Sequence, residues 1–222
     1  MTDTVGGGGL KIGFVPGGKN AMNLAQALGL FLSFYADRET RGAAAGGNLV
    51  QFPGTTASYN ARHTEIGQNT LARAHIFASS LVSAPNGDIY NVGDSPPITG
   101  LSWREKWATI CGYFGLVGVG PGEGEAALSV SRYMLQHQSE WKGFEDKYGL
   151  MPSIIQNTSW EFPEVLLSLA AFDRQYNLSK FAAAGFHEKA DIAQNYFEAF
   201  RLMEAAKIIP RRDPSPSNPL LG

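Results

Sequence analysis

The segment Leu10–Gln26, LKIGFVPGGKNAMNLAQ, constrains this chain more than any other, because it reads as a buried strand, a tight turn and the start of a helix. It looks like an internal strand–loop–helix of a dinucleotide-dependent α/β enzyme, yet it begins at the tenth of 222 residues. No strand–GxGxxG–helix unit precedes it and none follows convincingly, so the expectation is a mostly helical α/β fold without a cofactor-binding half.

The rest of the chain supports that class. Asn20 is placed to cap a helix over about 21–38, along which Met22, Leu24, Leu28, Phe31, Leu32 and Tyr35 recur at helical spacing. Leu49–Phe52 and Asp88–Val92 read as further short strands, ended by Pro53-Gly54 and preceded by Pro85-Asn86-Gly87. A helix is expected from Thr64 to Ser80 with Ile66, Leu71, Ile76 and Phe77 inward, and another from Trp103 to Phe114. Gly115–Gly124 holds five glycines and a proline and reads as a loop. Helices over 126–148, 162–171, 179–184 and 191–207 complete the pattern. The expected organisation is a glycine-rich start over 1–9, one domain over 10–210 and a proline-rich tail over 211–222.

Composition excludes several classes. The 44% hydrophobic and 11% aromatic content belongs to a globular chain, and a net charge of −2 leaves no footprint for nucleic acid or an anionic membrane. A single cysteine, Cys111, allows no internal disulfide and suits a reducing compartment. With no signal-peptide pattern and no long apolar run, a cytoplasmic, soluble protein is expected.

Chemistry-bearing motifs are weak. Gly13–Asn20 approaches a phosphate-binding loop, but Asn20 stands where a hydroxyl should hold magnesium and Pro16 removes a backbone donor. Gly122–Ala127 satisfies GxGxxA, yet Glu123 and Glu125 would face a pyrophosphate with like charge. Tyr176–Lys180 has the Tyr-x-x-x-Lys spacing, but Asn177 and Ser179 look like caps, which puts Tyr176 before its helix. The four histidines show no metal-ligand spacing, and no GxSxG elbow is present. Only His63 sits where a pocket-facing polar group is expected. Phe31, Tyr35, Tyr59, Trp103, Trp160, Phe162 and Tyr176 are numerous enough to line an apolar cavity, although core packing is the commoner use of such rings.

Four blocks occur in one order: GFVPGGKNAMNLAQALGLFLSFYADR, FPGTTASYNARHTEIGQNTLARAHIFAS, DIYNVGDSPPITGLSWREKWATICGYFGLVGVGP, and SWEF with FDRQYNLSKFAAAGF. From about residue 10 to 210 the chain resembles the C-terminal half of the progesterone 5β-reductase/iridoid synthase-like (PRISE-like) family, atypical extended short-chain dehydrogenase/reductases. The likeness is strongest to fungal-type members often found near secondary-metabolite genes. It implies a Rossmann-derived substrate-binding half whose NADP(H)-binding half and catalytic tyrosine and lysine lie upstream. It also implies that Phe14-Val15-Pro16 approaches the nicotinamide and that Met22, Asn23 and Tyr59–His63 lie near substrate.

Three functions follow as expectations. The first is a cofactor-independent cyclase of a hydrophobic terpenoid or polyketide, working by preorganisation and hydrogen bonding in a Diels–Alder-type closure. Its catalytic donors would be His63, Lys19 and Tyr59, with Met22, Asn23, Phe31, Tyr35, Trp103, Trp160, Phe162 and Tyr176 holding substrate and no cofactor or metal. The second is an NADP(H)-dependent ene-reductase that needs the missing half. The third is a small-molecule carrier or partner subunit. An open sheet edge makes a homodimer the expected assembly.

Overall fold

The computed structural model describes residues 4–5, 10–17, 22–39, 48–81, 88–94, 100–124 and 127–212. Lys19, Asn20, the 41–47 stretch, the Pro85–Gly87 turn, Pro96-Pro97 and the tail beyond Arg212 lie outside them.

Among the described residues, six short strands make three parallel pairs. β1 (Thr4–Val5) pairs with β5 (Ile89–Tyr90), β2 (Leu10–Ile12) with β4 (Glu65–Gly67), and β3 (Leu49–Phe52) with β6 (Val117–Pro121). β4 was expected to be the first turn of a helix. Three residues are too few to show a strand period, and the true helix, α3 (Gln68–Ser80), follows at once. The glycine-rich 115–124 segment likewise contains a strand. Gly118 faces α4 (Trp103–Gly112) so closely that a Cβ there would stand 2.9 Å from the Cα of Ala108 and from the Cys111 sulfur, so the glycine is what lets sheet and helix touch.

α1 (Leu24–Glu39) starts three residues later than expected, because Asn23 is the cap: its Oδ1 accepts the Gln26 N–H at 3.0 Å and its Nδ2 donates to the Gly13 carbonyl at 2.9 Å. Every residue from Leu24 to Phe34 is buried, so α1 runs through the core. It packs on α9 (Ile192–Ala205) and α7 (Glu161–Glu164), and α9 in turn contacts α4, β2 and β4. The remaining helices are α2 (Thr56–Asn60), α5 (Val130–Gln136), α6 (Trp141–Tyr148) and α8 (Ser179–Ala183). The single helix expected over 126–148 is thus broken, with a 3-10 turn at Gln138–Glu140 between α5 and α6. A π-helical turn, Val165–Leu169, extends α7.

A large apolar core gathers α1, α4, α6, α9, β3 and the rings between them. A smaller one joins Ile66, Ala74, Ala78, Tyr90, Val92, Phe181 and Phe186. Ile76 was expected inward but is 69% exposed, because α3 buries the stripe Thr70, Ala74 and Ala78 instead. Among the described residues no helix is long and apolar enough to cross a membrane.

Candidate functional site

His63 sits where three chain segments cross. Its backbone bridges antiparallel to Leu101 and parallel to Arg174, with His63 N–H to Leu101 O at 3.1 Å and Leu101 N–H to His63 O at 3.0 Å. This pins the imidazole in the interior at 3% exposure, between β4 and α4. Two residues on, Glu65 is fully buried, and from α4 Lys106 reaches in beside it.

The four groups form one network. Lys106 Nζ donates to Glu65 Oε1 and lies 2.8 Å from His63 Nε2, and the Tyr196 hydroxyl of α9 donates to the same Oε1 at 3.0 Å. His63 Nδ1 is 3.3 Å from the Ala61 carbonyl. Burial, followed by the Lys106 charge, lowers the His63 pKa, so the imidazole is neutral. His63 Nε2 also lies 3.1 Å from Glu65 Oε1, so a proton on Nε2 donates to the carboxylate, whereas a proton on Nδ1 donates to Ala61 O and leaves Nε2 to accept from Lys106. Burial alone would raise the Glu65 carboxyl, but the Lys106 charge and the contact with His63 outweigh it and hold it well below the ordinary range. Burial lowers Lys106 and raises the Tyr196 phenol, the latter helped by the Glu65 charge. Lys106 Nζ also stands 4.1 Å over the Trp103 ring, and the His63 and Trp103 rings are 5.5 Å apart. Glu65 Oε2, Trp103 Nε1 and Arg174 Nε are buried atoms without a partner among the described residues.

The other residues singled out from sequence are dispersed. Tyr59 of α2 is half-buried against Phe52, 5.0 Å between rings, and Phe52 lies 5.7 Å from Trp103, so Tyr59 joins His63 only at one remove. Phe31 and Tyr35 cluster with Tyr133 on another side of the core, and the Tyr35 hydroxyl donates to Leu49 O at 3.0 Å. Trp160 pairs with Trp141 and donates to Ile155 O at 3.1 Å, while Phe162 packs half-buried on the core. Tyr176 precedes α8, as expected, with its N–H on Thr64 Oγ1 at 3.0 Å and Asn177 Oδ1 taking the Ser179 N–H at 2.9 Å. Met22 is 70% exposed and Asn23 caps α1.

Sequence reading missed Glu65, Lys106 and Tyr196. One signal was available: Lys106 falls on the stripe Trp103, Trp107, Ile110, which a surface lysine avoids.

At the β2 turn the described backbone is not free to cradle a phosphate. After β2 the backbone donor that a phosphate would use, Phe14 N–H, is bonded to Gln68 Oε1 at 2.9 Å, and a Cβ on Gly13 would meet that side chain at 2.3 Å. A strand does feed Gly122, contrary to expectation; residues 125–126 of that stretch lie outside the described residues, and α5 begins at Val130 under its own Ser129 cap. No group of residues that could hold a metal ion is present among the described residues.

Comparison with known proteins is consistent along the chain. Residues 8–210 match the family model described as PRISE-like Rossmann-fold domain. The short chain dehydrogenase sirR of Leptosphaeria maculans is 33% identical over 212 residues, covering 90% of this chain and 49% of its own length. From the same organism, the short chain dehydrogenase sirQ is 27% identical over 208 residues, 94% of this chain and 50% of its own. The short chain dehydrogenase ausT of Aspergillus calidoustus is 30% identical over 165 residues, 74% and 39% respectively. The chain thus spans about half the length of the curated relatives it matches. That match over residues 8–210, with short parallel strands among mostly helical elements, makes the chain a member of the PRISE-like Rossmann-fold family.

Proposed function

We propose that this chain is the substrate-side half of a short-chain dehydrogenase/reductase acting on a small natural product, completed by a dinucleotide-binding half. The observation that carries this reading is the sheet. Parallel strands are stable in sheets with both faces covered and several neighbours, whereas the described strands form three pairs of two to five residues, with β4 tied to the segment after β5 by Asp94 N–H to Glu65 O at 2.9 Å. β2 has β4 on one side, and Val15 just beyond its carboxyl end is 61% exposed, with Met22 exposed at the entry to α1. Ligands of open α/β sheets bind outside the carboxyl ends of strands, which is where Val15 and Pro16 lie. Half-length alignment to three short chain dehydrogenases supports the same division of labour. No hydride step is assigned to a residue of this chain. Its contribution in this reading is to wall the substrate and exclude water at the β2 end.

The cofactor-free cyclase draws less support from the packing. Such an enzyme needs an apolar chamber, and Trp103, Phe31 and Trp160 are instead buried against other rings at 5–7 Å separations. The His63–Lys106–Glu65–Tyr196 network is equally enclosed. It organises β4, α4 and α9, and in this reading positions the β2 end without touching substrate.

The test is an NADPH titration followed by tryptophan fluorescence, run on this chain and on a fusion carrying the unmatched half of sirR ahead of it. The reading expects saturable binding at about micromolar concentration by the fusion and none by the chain up to about millimolar. Saturable binding by the chain alone, or a folded fusion that binds no NADPH while sirR does, would overturn it.

A further inference from the structure

A groove of about 610 Å³ opens at the carboxyl ends of the β3–β6 pair, on a part of the surface that the reading above does not use. Gly54 and Thr55 follow β3, Leu128 follows β6, Arg132 comes from α5, and Glu164 and Ser168 come from α7 and its π-helical extension. Gly54 is obligatory here: a Cβ would stand 2.1 Å from the Leu167 carbonyl, so that wall is bare backbone and the groove stays open.

The hydrogen-bond polarity of the groove is fixed by Glu164. Its Oε2 accepts from Ser129 at 2.9 Å and Ser131 at 3.3 Å, and its Oε1 accepts from Ser168 at 2.7 Å. Ser168 has one proton, and the short contact commits it to the carboxylate over the Pro53 carbonyl at 3.3 Å. What Ser168 and Glu164 Oε1 offer an incoming molecule is therefore acceptor lone pairs. Ser129 likewise spends its proton on Glu164, and its oxygen takes the Arg132 N–H at 3.2 Å. At the rim the exposed Arg132 guanidinium has no hydrogen bond or ion pair among the described residues, so it offers a planar cationic donor set. Leu128 and Ala127 supply apolar surface between the two ends.

We infer that this groove binds a hydroxylated organic carboxylate, its carboxylate on Arg132 and its hydroxyl donating its one proton to the Ser168 oxygen, with a small apolar body over Leu128. A phosphate dianion suits the site less well, because Glu164 stands in the same groove. A simple cation would meet Arg132. The matching ligand is negative at one end and a neutral donor at the other.

The experiment is a protein-detected NMR titration of the full chain with 3-hydroxybenzoate, using benzoate and 3-hydroxybenzyl alcohol as probes that each lack one group. Saturable shifts are expected at the Leu128, Arg132 and Ser168 amides, with a dissociation constant of about 1–10 mM, a typical value for a fragment of this size. Arg132→Met, an exposed substitution that leaves the backbone cap in place, should weaken 3-hydroxybenzoate about tenfold through loss of one charge-assisted pair. Ser168→Ala should weaken 3-hydroxybenzoate and leave benzoate unchanged. No saturable shift up to about 50 mM, shifts centred away from the groove, or equal affinity in Arg132→Met would each overturn the assignment. Equal affinity for benzoate and 3-hydroxybenzoate would overturn its hydroxyl half. A Ser168→Ala chain that fails to give a folded spectrum leaves the Arg132→Met comparison to decide.

Discussion

Replacing Lys106 with methionine isolates what the buried network contributes. The ammonium of Lys106 is 3% exposed, lies 2.8 Å from His63 Nε2, donates to Glu65, and stands 4.1 Å over the Trp103 ring. Methionine fills nearly the same volume, so cavity formation adds little and the cost is electrostatic. Without Lys106, Glu65 Oε1 keeps two neutral donors, the Tyr196 hydroxyl at 3.0 Å and His63 Nε2 at 3.1 Å, but no cation, while its Oε2 already has no partner among the described residues. Breaking one side of a buried pair costs about 3–5 kcal/mol, because the surviving charge is left uncompensated. Adding Glu65→Gln removes that charge and should recover at least about 1.5 kcal/mol, so the two substitutions are non-additive. Urea unfolding followed by tryptophan fluorescence measures both. The pH dependence has a definite sign. Glu65 is held below its unfolded value, so its stabilisation is complete above about pH 4.3 and fades as pH falls from there towards the folded value of about 2. Lys106→Met removes the main group that lowers the Glu65 carboxyl, so burial lifts its folded value towards or past the unfolded one and that acid loss should shrink or reverse. A Lys106→Met cost below about 1 kcal/mol, or a double substitution as costly as the sum of the singles, would refute the network as described.

Trp103→Ala should destabilise by about 3–5 kcal/mol in the same assay, since a ring 1% exposed is lost from contact with Phe52, His63 and Trp107. A loss of activity with unchanged stability would place Trp103 on a ligand instead. Asp94→Ala removes the acceptors of the Gly67 N–H at 2.7 Å, the Asn195 side chain at 2.8 Å and the Ala190 N–H at 2.9 Å. A cost of about 3 kcal/mol or more is expected, and a cost under about 1 kcal/mol would mean water replaces all three. Gly54→Ala should lower the melting temperature through about 1–3 kcal/mol of overpacking against the Leu167 carbonyl, and an unchanged melting temperature would show that this wall yields.

The sequence showed its long-period features well. Leu49–Phe52 is a strand with the bounds read from it, and the apolar rhythm after Met22 is α1. What it hid was short or glycine-rich. Glu65–Gly67 offers three residues against a minimum of about four for a visible alternation. Val117–Pro121 carries two glycines and a proline, tolerated because Pro121 sits past a register shift opposite Phe52, at the end of the ladder. The network was hidden for a different reason. Glu65, Lys106 and Tyr196 are separated by up to 131 positions, and each alone reads as ordinary surface or core. His63 was visible because a turn presents it, but its neighbours come from elements far along the chain. The groove at β3 and β6 escaped notice entirely, since half its wall follows a strand that was read as a loop.

The burial of α1 on all sides has a consequence for how this molecule opens. Its amides from Leu24 to Phe34 have no water-facing side from which to fray, so exchange with solvent there requires α9 and α7 to separate first. Deuterium should enter α1 only at the rate of whole-molecule opening, whereas α3, with Ala72, Ile76 and Ser79 facing out, can admit it by local openings. The slowest clock in the chain is thus set by a helix whose hydrogen bonds are no stronger than its neighbours', only harder to reach.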